Sequence, residues 1–147
     1  MRLAAKKNGR LKLSVASAYS MPVADRSVNT LINIFSPLAE AEVRRVLCNG
    51  GRFIMVYPAE EHLFGLKEKI YDKPYKNQPA ANELAGFALK STERLTFDMH
   101  VVGSDVGALF MMTPYAYRTP PEARARVFAL NEVVCAADFY INVYERE

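Results

Sequence analysis

This 147-residue sequence has no uninterrupted apolar stretch of the ~18–20 residues that a membrane-spanning helix needs. Its opening run, MRLAAKKNGR, lacks the apolar segment of a secretory signal. Cysteine is scarce: Cys48 and Cys135 lie far apart, each in an apolar setting. That argues against a disulfide framework and offers no metal-ligand spacing, so both read as buried thiols in a reducing cytoplasm. Neither an internal repeat nor a low-complexity tract is present. Nor is there a strong charge of one sign. A net charge of +3 permits an RNA partner without demanding one. What the chain does have is a hydrophobic half, spread in short runs, and enough length for one domain with a real core.

The stretch from Val28 to Pro58 organises the rest. Leu31, Ile32, Ile34 and Phe35 form a short apolar run with the β-branched content of a strand buried on both faces. Ser36 and Pro37 stop it and suit the opening of a helix, as cap and first-turn residue. Ala39, Val43, Val46 and Leu47 then recur at helical spacing, and Asn49-Gly50-Gly51 predicts the helix end. Phe53 to Tyr57 reads as a second buried strand. A βαβ unit this short forces two neighbouring parallel strands with a right-handed crossover.

Upstream, Met1 to Lys7 reads as the tail of a helix, and Leu11, Leu13 and Val15 alternate with polar residues as a strand ending at Ser17. Downstream, Leu63, Leu66 and Ile70 share one face of a helix whose later turn carries Lys67 and Lys69, as the helix dipole favours. Lys73 to Ala85 is polar, with Pro74 and Pro79, and predicts a mobile loop. Two strands with one buried face follow, one carrying Leu95, Phe97, Met99 and Val101, the other Phe139, Ile141 and Val143. Between them lie two helices, Asp105 to Met112 and Pro121 to Glu132, joined by TPYAYRTP.

These segments carry a resemblance. "MPVADRSVNTLI", a strand, then "EVRRVLCNGGRFIMVYP" is similar to the middle of S-adenosylmethionine (SAM)-dependent methyltransferases, with Cys48-Asn49 where Lys-Pro is usual. Three further segments, "YPAEEHLFGLKEKIYDKP", "GSDVGALFMMTPYAYRTPPE" and "ADFYINVYERE", together resemble one family, the bacterial 23S rRNA (guanine-N1)-methyltransferases. The sharpest piece is Met112 to Arg118, where Tyr115 and Tyr117 replace the usual Phe and Trp. The resemblance implies an α/β, Rossmann-like SAM-dependent methyltransferase fold over residues 1–147, partial in that the first strands are lacking, with a parallel sheet ending in an antiparallel strand pair.

The same resemblance implies SAM as cofactor and a guanine in a 23S rRNA hairpin loop as substrate. Ser17 and Ala18, at the strand end beside the adenine, and His62, after the fifth strand, are the implied cofactor contacts. Ser36 and Pro37 stand at substrate-side positions, and Tyr115, Tyr117 and Arg118 suit a pocket for a base drawn out of its stack. On residue type alone, the two tyrosines and Arg118 equally suit packing between helices, and a lone histidine in a first helical turn is more often at the surface. In-line methyl transfer depends on positioning the nucleophile, and the proton on guanine N1 needs an acceptor that no residue here singles out.

The chain carries no CxxC, no GxGxG and no acidic residue placed to hold a ribose. By the resemblance, the zinc module and glycine-rich cofactor loop belong to an N-terminal part that is absent, and zinc is expected only there. The expectation is a C-terminal piece that binds SAM weakly or not at all alone. Its exposed strand edge would favour a homodimer or a complementing N-terminal chain. Two other functions stay open: a non-catalytic RNA-binding remnant and a SAM-dependent methyltransferase of small molecules.

Overall fold

The computed structural model describes residues 11–78 and 83–147; the helix expected over Met1 to Lys7 lies outside them. Four strands form one sheet in the order β1-β2-β4-β3: β1 (Val28–Ile34), β2 (Leu47–Pro58), β3 (Phe87–Val102) and β4 (Glu132–Arg146). Helix α1 (Glu40–Val46) links β1 to β2, which run parallel, so the βαβ unit stands as read. Helix α2 (Phe64–Ile70) follows β2, while α3 (Ser104–Met111), a 3-10 turn (Pro114–Tyr117) and α4 (Pro121–Phe128) lie between β3 and β4. β4 is antiparallel to both neighbours, which is the expected closing pair.

Two apolar cores form on opposite faces of β4. On one face, Val43 and Leu47 beside α1 pack on Phe53, Met55, Tyr57 and Tyr144. On the other, Leu63, Leu66 and Ile70 meet Val106, Phe110, Val127, Val133 and Cys135. Residues 133 and 144 differ in parity, and alternate strand residues point to opposite faces. The approach of α2 to β4 is close enough to need glycine: a Cβ on Gly65 would lie 2.1 Å from the Val134 carbonyl oxygen.

Several expectations are corrected. Leu11, Leu13 and Val15 pair with nothing regular and are exposed, Val15 to 84%. Only an isolated bridge joins Ser17 to Ser20, because among the described residues no strand lies beside this run for it to pair with. β1 is an edge strand, so Ile32 (59% exposed) and Ile34 (60%) are not buried on both faces. Ser36 caps nothing; α1 starts at Glu40 after Ala39, with no side-chain cap. The helix ends at Val46 rather than at the glycines, and Leu47 already belongs to β2. Asn49-Gly50-Gly51 instead makes a bulge against β1, with Gly50 at φ 70°.

Burial along the last two strands also differs from the simple alternation. On β4 the most buried side chains between 138 and 144 are Asp138, Asn142 and Tyr144, while Phe139, Ile141 and Val143 are only half-buried. Leu95 and Phe97 on β3 are exposed, and Met99 and Val101 half-buried. The register explains it. Ile32, Ile54 and Val143 form one row across the sheet, and Ile34, Val56 and Ile141 the next. No described helix covers these rows fully, so an apolar sheet face is left largely open.

Candidate functional site

A cleft of about 470 Å³ opens at the carboxyl ends of β1 and β2, lined by Phe35, Ser36 and Pro37, by Met55 to Pro58, by His62 and Leu63, and by Met112 to Tyr115. Its position follows from topology, since the ends of parallel strands in an open α/β sheet leave a crevice where ligands bind. Its size falls within the ~300–1,000 Å³ of small-molecule sites. Three segments far apart in sequence supply the walls: the turn after β1, the turn after β2, and the start of the 3-10 turn after α3. Two wall residues, Phe35 (φ 50°) and Leu63 (φ 56°), hold left-handed backbone without being glycine. Such strain persists only where the surroundings impose it, and it clusters at functional sites.

His62 sits in the turn before α2, rather than in its first helical turn. Its ring stacks on Phe35 with centroids 5.3 Å apart and lies 5.0 Å from Phe139. The Asp138 backbone N–H donates to Nδ1 at 3.3 Å, which places the neutral ring's proton on Nε2. Burial holds the imidazole below its ordinary pKa, outweighing the opposing pull of Asp138, and the Lys67 ammonium adds a smaller push in the same direction as burial. His62 is therefore neutral at neutral pH.

Beneath it, Asp138 is fully buried. Arg94 grips both its oxygens at 2.8 Å, Thr96 Oγ1 donates to it at 2.6 Å, and the Glu61 N–H at 3.0 Å. These donors hold its carboxyl well below the usual carboxylate range. The anion thereby fixes the Glu61–His62 turn against β4.

Of the residues singled out from sequence, the cleft brings together Ser36, Pro37, His62 and Tyr115. Tyr115 is half-buried, and burial pushes its phenol up to about 12. Tyr117 is 81% exposed and Arg118 is exposed; neither lines the cleft. Ser17 and Ala18 are apart from it as well. Ala18 lines a separate dent against β1 with Met21, Leu31 and Val43, which Ser36 and Pro37 also border.

Sequence reasoning missed Lys67 and Asn77. Lys67 is completely buried rather than displayed at the surface end of α2. Its Nζ donates to the Tyr75 carbonyl at 3.0 Å and to Asn77 Oδ1 at 2.6 Å. Asn77 in turn donates to the carbonyls of Ala59 and His62. The segment expected to be a mobile loop is thus tied down at Tyr75 and Asn77. A signal was present: Lys67 falls at helical spacing among Leu63, Leu66 and Ile70, inside the apolar stripe.

The lining suits a planar, ring-bearing ligand, with aromatic walls and few polar groups. It contains no Asp or Glu, so nothing in it would grip ribose hydroxyls by a carboxylate. The residues fit the ring end of an adenosyl group or a nucleobase.

The described residues form part of a Rossmann-like α/β fold, of the kind that methyltransferases share. The solved structures with this fold include a candidate methyltransferase of Bacillus halodurans, at TM-score 0.51 and 17% identity, covering 88% of this chain and 69% of that one. They also include the YcgJ protein of Bacillus subtilis, at TM-score 0.54 and 15% identity, covering 99% and 76%. At these identities the likeness is one of fold.

The sequence likeness is narrower. The chain is 33% identical over 142 residues to a candidate 23S rRNA (guanine-N(1)-)-methyltransferase of Micromonospora griseorubida, covering 91% of this chain and 48% of that protein. A Bacillus subtilis protein of the same description is 32% identical over 138 residues, covering 90% and 48%. The 23S rRNA (guanine(748)-N(1))-methyltransferase of Streptomyces fradiae is 27% identical over 150 positions, covering 96% and 54%. No protein-family model matches the chain. The resemblance read from the motifs is therefore borne out: over some nine tenths of its length the chain is similar to 23S rRNA (guanine-N1)-methyltransferases, and it spans about half the length of these curated relatives.

Proposed function

We propose that this chain forms the base-side half of the active site of a SAM-dependent methyltransferase that modifies N1 of a guanine in 23S rRNA. The observation that carries the reading is convergence. Two of the three segments that resemble the family, and the turn after β1 in the stretch that resembles the superfamily, close on one cleft; the former supply His62 and Tyr115 to it, the latter Ser36 and Pro37.

SAM, when bound, supplies an electrophilic methyl group. The chain's own part is positioning. The Nε2–H of neutral His62 donates a hydrogen bond to the ligand, and the Tyr115 ring gives a flat wall for a base removed from its stack. Exposed Met112, in the cleft wall, and Tyr117 and Arg118, a few residues on from it, offer stacking surface and positive charge to the surrounding loop. The ribose and the amino-acid end of SAM are held by the polypeptide equivalent to the rest of the relatives' length. We expect weak or no SAM binding to these 147 residues on their own.

The test is methyl transfer from labelled SAM to 23S rRNA, by this chain alone and together with the remaining half of a relative. N1-methylguanine cannot pair normally, so primer extension locates it as a stop. We expect one such stop with the combined halves and at least a tenfold loss in His62→Ala, since misplacing a ligand is costly. Saturable SAM binding with label appearing on small molecules but never on RNA would overturn the substrate assignment.

A further inference from the structure

Lys67 poses a problem that the methyl-transfer reading does not solve. An ammonium taken fully out of water is expensive unless a counter-charge compensates it. Among the described residues no carboxylate lies within ion-pair distance of it. In place of an anion it has two carbonyl-type oxygens and two aromatic faces. The Tyr75 ring centroid lies 4.4 Å from Nζ and that of Tyr115 5.5 Å, both within cation–π reach. Tyr71 closes the group, 5.5 Å from Tyr75 and 6.3 Å from Tyr115 by ring centroids.

What these partners have in common is the cleft. Tyr115 is one of its walls. Asn77, held by Nζ, donates to Ala59 at 2.9 Å and to His62 at 3.2 Å, and its own N–H bonds Glu60 at 3.1 Å. One cation therefore reaches two cleft walls that come from different parts of the chain. Without it, Asn77 loses the anchor of its side-chain oxygen and the tyrosine rings lose the charge they surround. A leucine at this position would fill the apolar stripe of α2 equally well, and it could do neither.

We propose that Lys67 is the positioning residue of the cleft, its ammonium tying the Tyr115 wall and, through Asn77, the turn that carries His62 into one arrangement. Its importance for a ligand rests on the reading of the cleft as the active site; the coupling itself does not. Burial holds the ammonium below the ordinary lysine range, so alkali releases the tie before exposed lysines titrate. The titratable groups on the elements around it are Tyr71, Tyr75 and Tyr115, His62 and Asp138, Cys135 on β4, and Arg124 on α4.

The chain has two histidines, so its imidazole Cε1–H resonances assign readily. We would follow them by NMR from pH 7 upward in the wild type, Lys67→Met and Asn77→Ala. The expected result is a step in the His62 resonance below the ordinary lysine pKa of about 10.4, absent from His100. The step disappears in Lys67→Met, and also in Asn77→Ala, which keeps the charge and removes only the link. If Lys67→Met does not fold, Asn77→Ala decides. A wild-type resonance with no step overturns the proposal. So does a step that survives in either variant: in Lys67→Met it would mark a tyrosine ionising, and in Asn77→Ala a direct effect of the charge on the imidazole with no tie through Asn77. No ligand is needed, so a failed methylation assay leaves this result standing.

Discussion

At the scale of the residue, His62 combines a wall position with an unusual titration. Burial lowers its pKa in the folded protein, while the unfolded chain keeps it near the ordinary value of about 6.5. A depressed folded pKa gives stability that is present above the unfolded value and is lost as pH falls through the folded one. The melting temperature of the wild type should therefore fall between pH 7 and pH 5. His62→Phe, which keeps a ring between Phe35 and Phe139, should show a flatter profile over the same window. An identical slope in both proteins would mean that the imidazole is not held neutral. The motif match singled out His62 and Tyr115, and the structure brings both to one cleft. The match gave no warning that Tyr117 and Arg118, two and three residues on, turn outward: a 3-10 turn rotates successive residues by about 120°, so adjacent residues in a motif need not share a surface.

Elements were more legible than their surroundings. The β1–α1–β2 unit could be read because it is local: a short crossover leaves one arrangement. The apolar face of α2, Leu63, Leu66 and Ile70, could be read for the same reason, from helical spacing, although the buried Lys67 within it was not. Burial of strands could not, because it depends on what lies beside them. The run Leu31 to Phe35 reads as doubly buried, but β1 is an edge. Asp138 and Asn142 look like the wet side of β4, yet the strand is central and both are enclosed, Asp138 by Arg94 and Thr96 and Asn142 by the Tyr57 and Tyr144 hydroxyls. A contact between elements carries a further prediction. Gly65 lets α2 lie against the backbone of β4, which cannot move aside as a side chain would. Gly65→Ala should cost about 3 kcal/mol, the upper part of the overpacking range, measured by denaturant unfolding. Gly50→Ala, in open space but at positive φ, should cost only about 1 kcal/mol. Equal effects would show that the close approach is relieved cheaply.

At the scale of the whole molecule, the open face of the sheet dominates. Ile32, Ile34, Leu95 and Phe97 are all about half exposed or more, and the half-buried Ile54, Val56, Ile141 and Val143 join them into one apolar area. Contiguous patches of this kind mark interaction surfaces or aggregation hazards, and β1 adds an edge that no strand among the described residues pairs. The 147-residue chain should bind a hydrophobic dye such as ANS in its native state and self-associate with rising concentration. An Ile32→Lys, Ile34→Lys double variant should reduce both, as followed by fluorescence and light scattering. A dye-silent monomer at all concentrations would show that the surface is covered by residues outside those described.

The long antiparallel pair has a different consequence. Val102 pairs with Glu132, and the Gly103 N–H bonds the Asn131 carbonyl at 2.7 Å, so the stretch carrying α3, the 3-10 turn and α4 leaves and re-enters the hairpin at a single point. It is a cassette with adjoining ends. Evolution could exchange it without disturbing the ladder that carries it, and it holds the Met112–Tyr115 wall of the cleft. The sheet then acts as chassis and this cassette as the interchangeable part, through which one scaffold could be refitted to a different ligand.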